Sequence, residues 1–205
     1  ISTIMIPESL NDMRRYFESG ATQSSSFRKE QLKKLKQAIL KYEKELYEAL
    51  NADLKKSPEE TWVTELGMVI SEINVAIKKL NRWMKPKRVA TNLLNLPSSS
   101  YVMHEPLGVT LIIGPWNYPF QLLINPLVGA IAAGNCTVLK ASEFAPATDA
   151  VMKKMIGETF PKEYILYVQG EGAQIVPRLM NHFTFDFVFY TGSTAVGKII
   201  YKMAA

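Results

Sequence analysis

From residue 101 onward, short apolar runs alternate with helical stretches, and this alternation restricts the fold more than any other feature. The runs are rich in β-branched or aromatic residues and bounded by glycine, proline or charged residues, which is typical of strands. They cover residues 108–113, 136–139, 164–168 and 185–190, with helices expected at 121–133, 147–159, 174–180 and after 192. Because the runs lack polar alternation, both faces of the sheet should be covered. The sequence predicts an α/β fold with a Rossmann-like, doubly wound parallel sheet.

The first 90 residues differ from the rest in charge and in pattern. They carry 17 Lys and Arg against 12 Asp and Glu, whereas residues 91–205 carry 7 against 7, so the net charge of +5 lies in the first part. Apolar residues at spacings of three and four predict one amphipathic helix over 27–54. Ser57 and Pro58 fit the start of a second helix that ends at Pro86. We therefore expect one unit over 1–205, with a helical segment (1–90) and a nucleotide-binding segment (91–205) of an incomplete cofactor-binding domain.

Composition excludes several classes of function. Hydrophobic residues (47%) and charged residues (21%) are near the averages of soluble proteins, and the sequence shows neither a membrane segment nor a signal peptide, so a cytoplasmic location is expected. The single cysteine, Cys136, lies inside an apolar run and is expected to be a buried thiol. His104 and His182 lack neighbours at ligand spacing, so no metal site is expected. The basic residues around Trp83 are expected to be a solvated helix end, with no nucleic acid bound.

The turns after the predicted strands are the expected ligand-binding positions, because doubly wound sheets bind ligands beyond the carboxyl ends of their strands. After the last strand, Gly192, Gly197 and Lys198 have the spacing of a P-loop. Ile199 stands where a P-loop needs Ser or Thr for magnesium, which excludes the nucleoside triphosphatase interpretation. A glycine turn before a helix can bind an anion such as a pyrophosphate, or can use glycine for its geometry alone, and the residues leave both open.

Two other turns carry polar side chains that allow two interpretations each. Lys140 and Glu143 follow a predicted strand and could form hydrogen bonds with two sugar hydroxyl groups, or could form a local ion pair on a solvated loop. Asn117 lies between Pro115 and Pro119 in a rigid turn. Its amide could donate a hydrogen bond to a developing oxyanion, or could only serve the turn.

Four stretches, taken in order, resemble the aldehyde dehydrogenase superfamily. They read Gly-Pro-Trp-Asn-Tyr-Pro-Phe over 114–120, Asn-Pro-Leu over 125–127, Ala-Ala-Gly-Asn-Cys-Thr-Val-Leu-Lys-Ala-Ser-Glu over 132–143 and Phe-Tyr-Thr-Gly-Ser-Thr-Ala-Val-Gly-Lys over 189–198. The sequence of these stretches is most similar to that of the branch that oxidises fatty and aromatic aldehydes. The resemblance covers the chain from about Arg14 to its end, specifically after residue 108 and in outline before it.

The resemblance implies a site for NAD or NADP and one catalytic residue. Asn117 matches the asparagine that helps to hold the thiohemiacetal oxyanion, and Lys140 and Glu143 match the pair that binds the adenosine ribose. The turn and helix start over the pyrophosphate and adenine contain Gly192, Ser193, Val196 and Gly197. Ala141 stands where the family usually has proline, which leaves the choice between NAD and NADP open.

Two family motifs are absent from the chain. The general base of the family lies in a Glu-Leu-Gly-Gly stretch and its nucleophile in a Gly-Gln-x-Cys stretch, and the sequence contains neither. We therefore expect the N-terminal part of an NAD(P)-dependent aldehyde dehydrogenase, inactive alone, whose catalytic Cys and Glu and catalytic domain lie beyond this chain. The intact protein would oxidise an aldehyde to a carboxylic acid as a homo-oligomer, with a dimer favoured. A naturally short, noncatalytic nucleotide-binding or interaction module is the alternative.

Overall fold

The N-terminal region is helical in the computed structural model, which describes residues 6–205. Its helices are α1 (Ile6–Glu18), α2 (Ser25–Lys41), α3 (Glu43–Leu54), α4 (Pro58–Thr61) and α5 (Gly67–Trp83), and a π-helical turn (Trp62–Leu66) joins the last two. The side chain of Ser57 accepts a hydrogen bond from the backbone of Glu60, which confirms the predicted helix start. The prediction of one helix over 27–54 is wrong. Tyr42 leaves the helical conformation (φ −97°, ψ 9°), and the break lets α3 take its own direction while Tyr42 stays buried.

A short antiparallel hairpin follows α5 and was not predicted. Its strands are β1 (Lys87–Val89) and β2 (Ser100–Val102), with Lys87 opposite Val102. Each strand has only three residues and is largely exposed, so neither produces the apolar run by which a buried strand is recognised.

The predicted parallel sheet is confirmed. Its strands are β3 (Val109–Ile113), β4 (Cys136–Lys140), β5 (Ile165–Val168) and β6 (Phe187–Tyr190), in the order β5-β4-β3-β6. The helices between and after them are α6 (Gln121–Ala133), α7 (Pro146–Thr159), α8 (Gly172–His182) and α9 (Thr194–Ala204). Every residue of β3, β4 and β5 is buried, which explains their continuous apolar runs.

Strand order reverses at β3, since β4 and β5 lie on one side of it and β6 on the other. Right-handed crossovers then place α6 and α7 on one face of the sheet and α8 on the other. Helix α1 contacts α8, β3 and β4, whereas α2, α3 and α5 pack against α6 or α7. One hydrophobic core joins the N-terminal helices to the sheet.

Cys136 begins β4 at the centre of this core. Its side chain is fully buried, which confirms the predicted buried thiol, and burial raises its pKa to about 12. The thiol is therefore protonated at neutral pH and is a poor nucleophile in this position.

Candidate cofactor cleft and oxyanion turn

The turns after β3, β4 and β6 border one cleft at the carboxyl end of the sheet. Their proximity follows from the strand register, which aligns Ile113 with both Lys140 and Tyr190. The cleft has a volume of about 520 Å³ and lies where the strand order reverses. Five of the predicted cofactor-binding residues line it: Lys140, Glu143, Gly192, Ser193 and Val196. Asn117 and Gly197 are not among its lining residues.

Lys140 is the last residue of β4, and its side chain is only 2% exposed. Its Nζ donates to the carbonyl oxygen of Ala141 and, at 3.1 Å, to Oε2 of Glu143. The ion pair considered from the sequence is present, but its cation is buried and does not lie on a solvated loop. These two contacts occupy two of the three N–H groups of the ammonium, so one donor remains for a ligand in the cleft.

Glu143 links the turn after β4 to the start of α8. Its Oε1 accepts a hydrogen bond of 2.8 Å from the backbone N–H of Gly172, the first residue of α8. Partial burial raises the pKa of Glu143, but the N–H of Gly172, the backbone of Glu143 itself and Lys140 outweigh that effect and hold the pKa below its ordinary value. Glu143 is therefore a carboxylate at neutral pH and can still accept hydrogen bonds from ligand hydroxyl groups.

The start of α9 forms the third side of the cleft. Ser193 is the N-cap of α9, and its side chain accepts a hydrogen bond of 3.4 Å from the backbone of Val196. The first turn of a helix carries unsatisfied N–H groups and a partial positive charge, which together favour an anion. Gly192 also has a steric role, since a Cβ there would lie 2.1 Å from the hydroxyl oxygen of Tyr190. Gly197 faces the ring of the same Tyr190.

Asn117 lies beside the cleft, on the loop that joins β3 to α6. Its side chain is exposed, whereas its carbonyl oxygen accepts a hydrogen bond of 3.1 Å from Nζ of Lys56. The residues just before it, Gly114, Pro115 and Trp116, line the cleft, so the loop connects the cleft to Asn117. We call residues 114–120 the oxyanion turn, after the role that the sequence resemblance implies for Asn117.

Sequence reasoning missed a buried ion pair behind this turn. Lys56 donates to Oε1 of Glu65 at 2.5 Å, and Glu65 is fully buried in the π-helical turn. Burial raises the pKa of Glu65, while Lys56 and the backbone N–H groups of Gln121 and Phe120 lower it, with burial the larger influence. One feature of the sequence could have indicated this pair. Glu65 lies on the apolar stripe of its helix between Trp62 and Val69, where a buried carboxylate requires a partner.

Residues 6–205 contain neither a candidate metal site nor a candidate membrane span. No group of three or more His, Cys, Asp or Glu side chains in that range is placed to hold a metal ion. Within the same range, no helix combines the length and the apolar character required to span a bilayer.

Comparisons with known proteins agree with this architecture. A family model described as the aldehyde dehydrogenase family matches residues 5–205. The 4,4'-diaponeurosporen-aldehyde dehydrogenase of Staphylococcus aureus is 46% identical over 201 residues, which make up 98% of this chain and 43% of that protein. Aldehyde dehydrogenase family 3 member B3 of Mus musculus is 41% identical over 198 residues, or 97% of this chain and 41% of that protein.

Solved structures give the same result. A substrate-bound AldH of Staphylococcus aureus matches with a TM-score of 0.93 and 46% identity, covering 96% of this chain and 43% of that one. A point mutant of the betaine aldehyde dehydrogenase of Staphylococcus aureus, in complex with NAD+, matches with a TM-score of 0.82 and 26% identity, covering 96% and 40%. The chain thus spans about two fifths of the length of these proteins. From the family match over nearly its whole length, we conclude that this chain belongs to the aldehyde dehydrogenase family.

Proposed function

We propose that the chain is the N-terminal part of an NAD(P)-dependent aldehyde dehydrogenase, and that the cleft binds the adenosine half of the cofactor. The observation that carries this proposal is the convergence of Lys140, Glu143 and the start of α9 on one cleft. The cleft lies where the strand order reverses, which is the usual place for a nucleotide in an open α/β sheet. Residues 1–90 and 91–205 together would form the incomplete cofactor-binding domain.

The chemistry of the cleft fits a dinucleotide. Its volume of about 520 Å³ is within the range of small-molecule sites, about 300 to 1,000 Å³. Glu143 can accept from one ribose hydroxyl while Lys140 donates to the other, and the start of α9 can hold a pyrophosphate. Apolar side chains such as Val176 and Ile200 line the same cleft and suit the face of an adenine ring.

Asn117 would act on the substrate and not on the cofactor. When bound, the cofactor supplies a hydride acceptor. The exposed amide of Asn117 can donate a hydrogen bond to the oxygen of the aldehyde as that oxygen gains negative charge, which lowers the barrier to addition. The thiolate and the general base would come from the part of the protein outside this chain, since Cys136 is buried and protonated.

The exposed apolar surface of β6 and α9 supports the proposal that the chain is part of a larger enzyme. Strand β6 has only β3 as a neighbour among the described residues, and Phe187 and Phe189 on it are exposed. Val196 and Ile199 of α9 are exposed as well. Further strands and a second domain, carrying the catalytic Cys and Glu, would cover this surface. The substrate of this enzyme would be an aldehyde, and the dimer and the cytoplasmic location stay predictions.

Calorimetric titration of the full-length protein with NAD+, NADP+ and ADP-ribose tests the proposal. ADP-ribose lacks the nicotinamide, so it should retain most of the affinity of the dinucleotide if the adenosine half provides the main contacts. Failure of all three ligands to bind would contradict the proposal. A full-length protein without a Glu-Leu-Gly-Gly and a Gly-Gln-x-Cys stretch would instead favour a noncatalytic module.

A further inference from the structure

The ion pair of Lys56 and Glu65 lies outside the cleft but contacts the oxyanion turn from behind. Lys56 follows α3 and is 7% exposed, while Glu65 is fully buried. Two charges in such a position are costly to desolvate, and apolar replacements of buried ion pairs are often as stable or more stable. A gain in net stability therefore explains the presence of this pair poorly. The groups that the pair contacts suggest a different role.

Glu65 fixes the end of the turn. Its Oε2 accepts hydrogen bonds from the backbone N–H groups of Gln121 at 2.8 Å and Phe120 at 3.2 Å, where α6 begins. Phe120, at the N-cap position of α6, provides no side-chain cap. The carboxylate of Glu65 supplies the missing acceptor from an element more than 50 residues earlier in the chain.

Lys56 fixes the middle of the turn. The same Nζ that binds Glu65 donates to the carbonyl oxygen of Asn117 at 3.1 Å and lies 3.9 Å from the centre of the Tyr118 ring. The other end of the turn is held by the sheet, because the N–H of Gly114 donates to the carbonyl oxygen of Lys140 at 3.0 Å. The backbone on both sides of the exposed Asn117 side chain is thus fixed, and the contact nearest that side chain comes from Lys56.

We propose that Lys56 and Glu65 are positioning residues that orient the amide of Asn117 toward the oxyanion. The inference rests on the oxyanion role in the proposed function. An oxyanion donor must be held within about 0.5 Å of its productive position, and an exposed amide on a loop reaches that precision only if its backbone is fixed. The pair provides this support without touching substrate.

The first test compares Lys56→Met and Glu65→Gln with the parent in the full-length enzyme. Turnover should fall by at least about tenfold in each variant, since a misplacement of 1 Å costs about a hundredfold. The KM for the cofactor should stay within about twofold of the parent, because neither residue lines the cleft. Equal losses in turnover and cofactor affinity would contradict a specific effect on Asn117.

The matched control is Lys36→Met. Lys36 also links two elements, because its Nζ in α2 lies 2.8 Å from Oδ1 of Asn74 in α5, but it is only half-buried and distant in sequence from the oxyanion turn. It should leave turnover unchanged. Circular dichroism and thermal melting of all variants establish folding. If Lys56→Met and Glu65→Gln both fail to fold, the proposal is contradicted, because the pair would then be required for the fold.

A double-mutant cycle separates this proposal from the one on which it rests. If Lys56 acts through Asn117, the double variant Lys56→Met/Asn117→Ala should be as slow as Asn117→Ala alone. Losses that multiply would refute the positioning role and leave the oxyanion role intact. Unchanged turnover in Asn117→Ala itself would refute the oxyanion role, and the positioning role would fail with it.

Discussion

Replacing Lys140 with Met in the full-length protein should weaken cofactor binding while the protein still folds. Met retains an unbranched apolar stem in a position that is only 2% exposed, so packing along β4 is largely preserved. The variant loses the ammonium and with it the contacts to Ala141 and Glu143. It also loses the remaining N–H group, which we assign to the ribose.

The expected magnitudes follow from these contacts. A hydrogen bond that involves a charged group contributes about 1.5 to 3 kcal/mol, so the Kd for NAD+ should rise about 10- to 150-fold. Removing one partner of a fully buried ion pair costs about 3 to 5 kcal/mol of stability. The loss here should be smaller, about 1 to 2 kcal/mol, because the Glu143 side chain is 31% exposed and keeps its hydrogen bond from Gly172.

Isothermal titration calorimetry gives the Kd, and urea denaturation gives the free energy of unfolding. Lys41→Met is the matched control, since Lys41 forms an exposed ion pair with Glu158 at 2.8 Å. It should leave both the Kd and the free energy of unfolding close to those of the parent, because exposed ion pairs contribute little to stability. An unchanged Kd in a folded Lys140→Met protein would refute our assignment and would make the pair with Glu143 purely structural.

Three further substitutions test other parts of the account in the full-length protein. Asn117→Ala should lower kcat about a hundredfold or more with little change in cofactor affinity, because one oxyanion donor contributes about 3 to 4 kcal/mol. Steady-state kinetics measures this loss, and a kcat near that of the parent would mean that the residue only serves the turn. Glu143→Gln should shift preference toward NADP+, since it removes a negative charge from the place of the 2′-phosphate, and equal Kd ratios in parent and variant would argue against this position. Cys136→Ser should lower the free energy of unfolding by about 1 to 3 kcal/mol by burying a hydroxyl, while activity persists; an inactive but folded, cofactor-binding variant would overturn the assignment of the nucleophile to another part of the protein.

The sheet could be predicted because β3, β4 and β5 are buried on both faces and therefore leave continuous apolar runs, while β6 keeps an apolar run although Phe187 and Phe189 are exposed. Strand positions agreed within about two residues, as expected where burial determines sequence. The hairpin of β1 and β2 left no such signal, because its residues are exposed. The break at Tyr42 was also hidden, since α2 and α3 keep the same apolar spacing on either side of it.

Only part of the site could be predicted from the sequence, because several of its contacts join residues that are far apart in the chain. Lys140 and Glu143 lie three residues apart, so their pairing can be considered from spacing alone. The contacts of Glu143 with Gly172 and of Lys56 with Asn117 join residues 29 and 61 positions apart. Such pairings depend on how the elements pack, which local patterns do not encode. A charged residue on an apolar stripe, as at Glu65, indicates a buried partner without identifying it.

The most direct test of the central claim is a crystal structure of the full-length protein with NAD+. The adenosine ribose should lie in the cleft, with its two hydroxyl groups within about 3.2 Å of Lys140 Nζ and a carboxylate oxygen of Glu143, and the pyrophosphate should lie at the start of α9. A cofactor bound elsewhere, or a ribose that contacts neither residue, would contradict it.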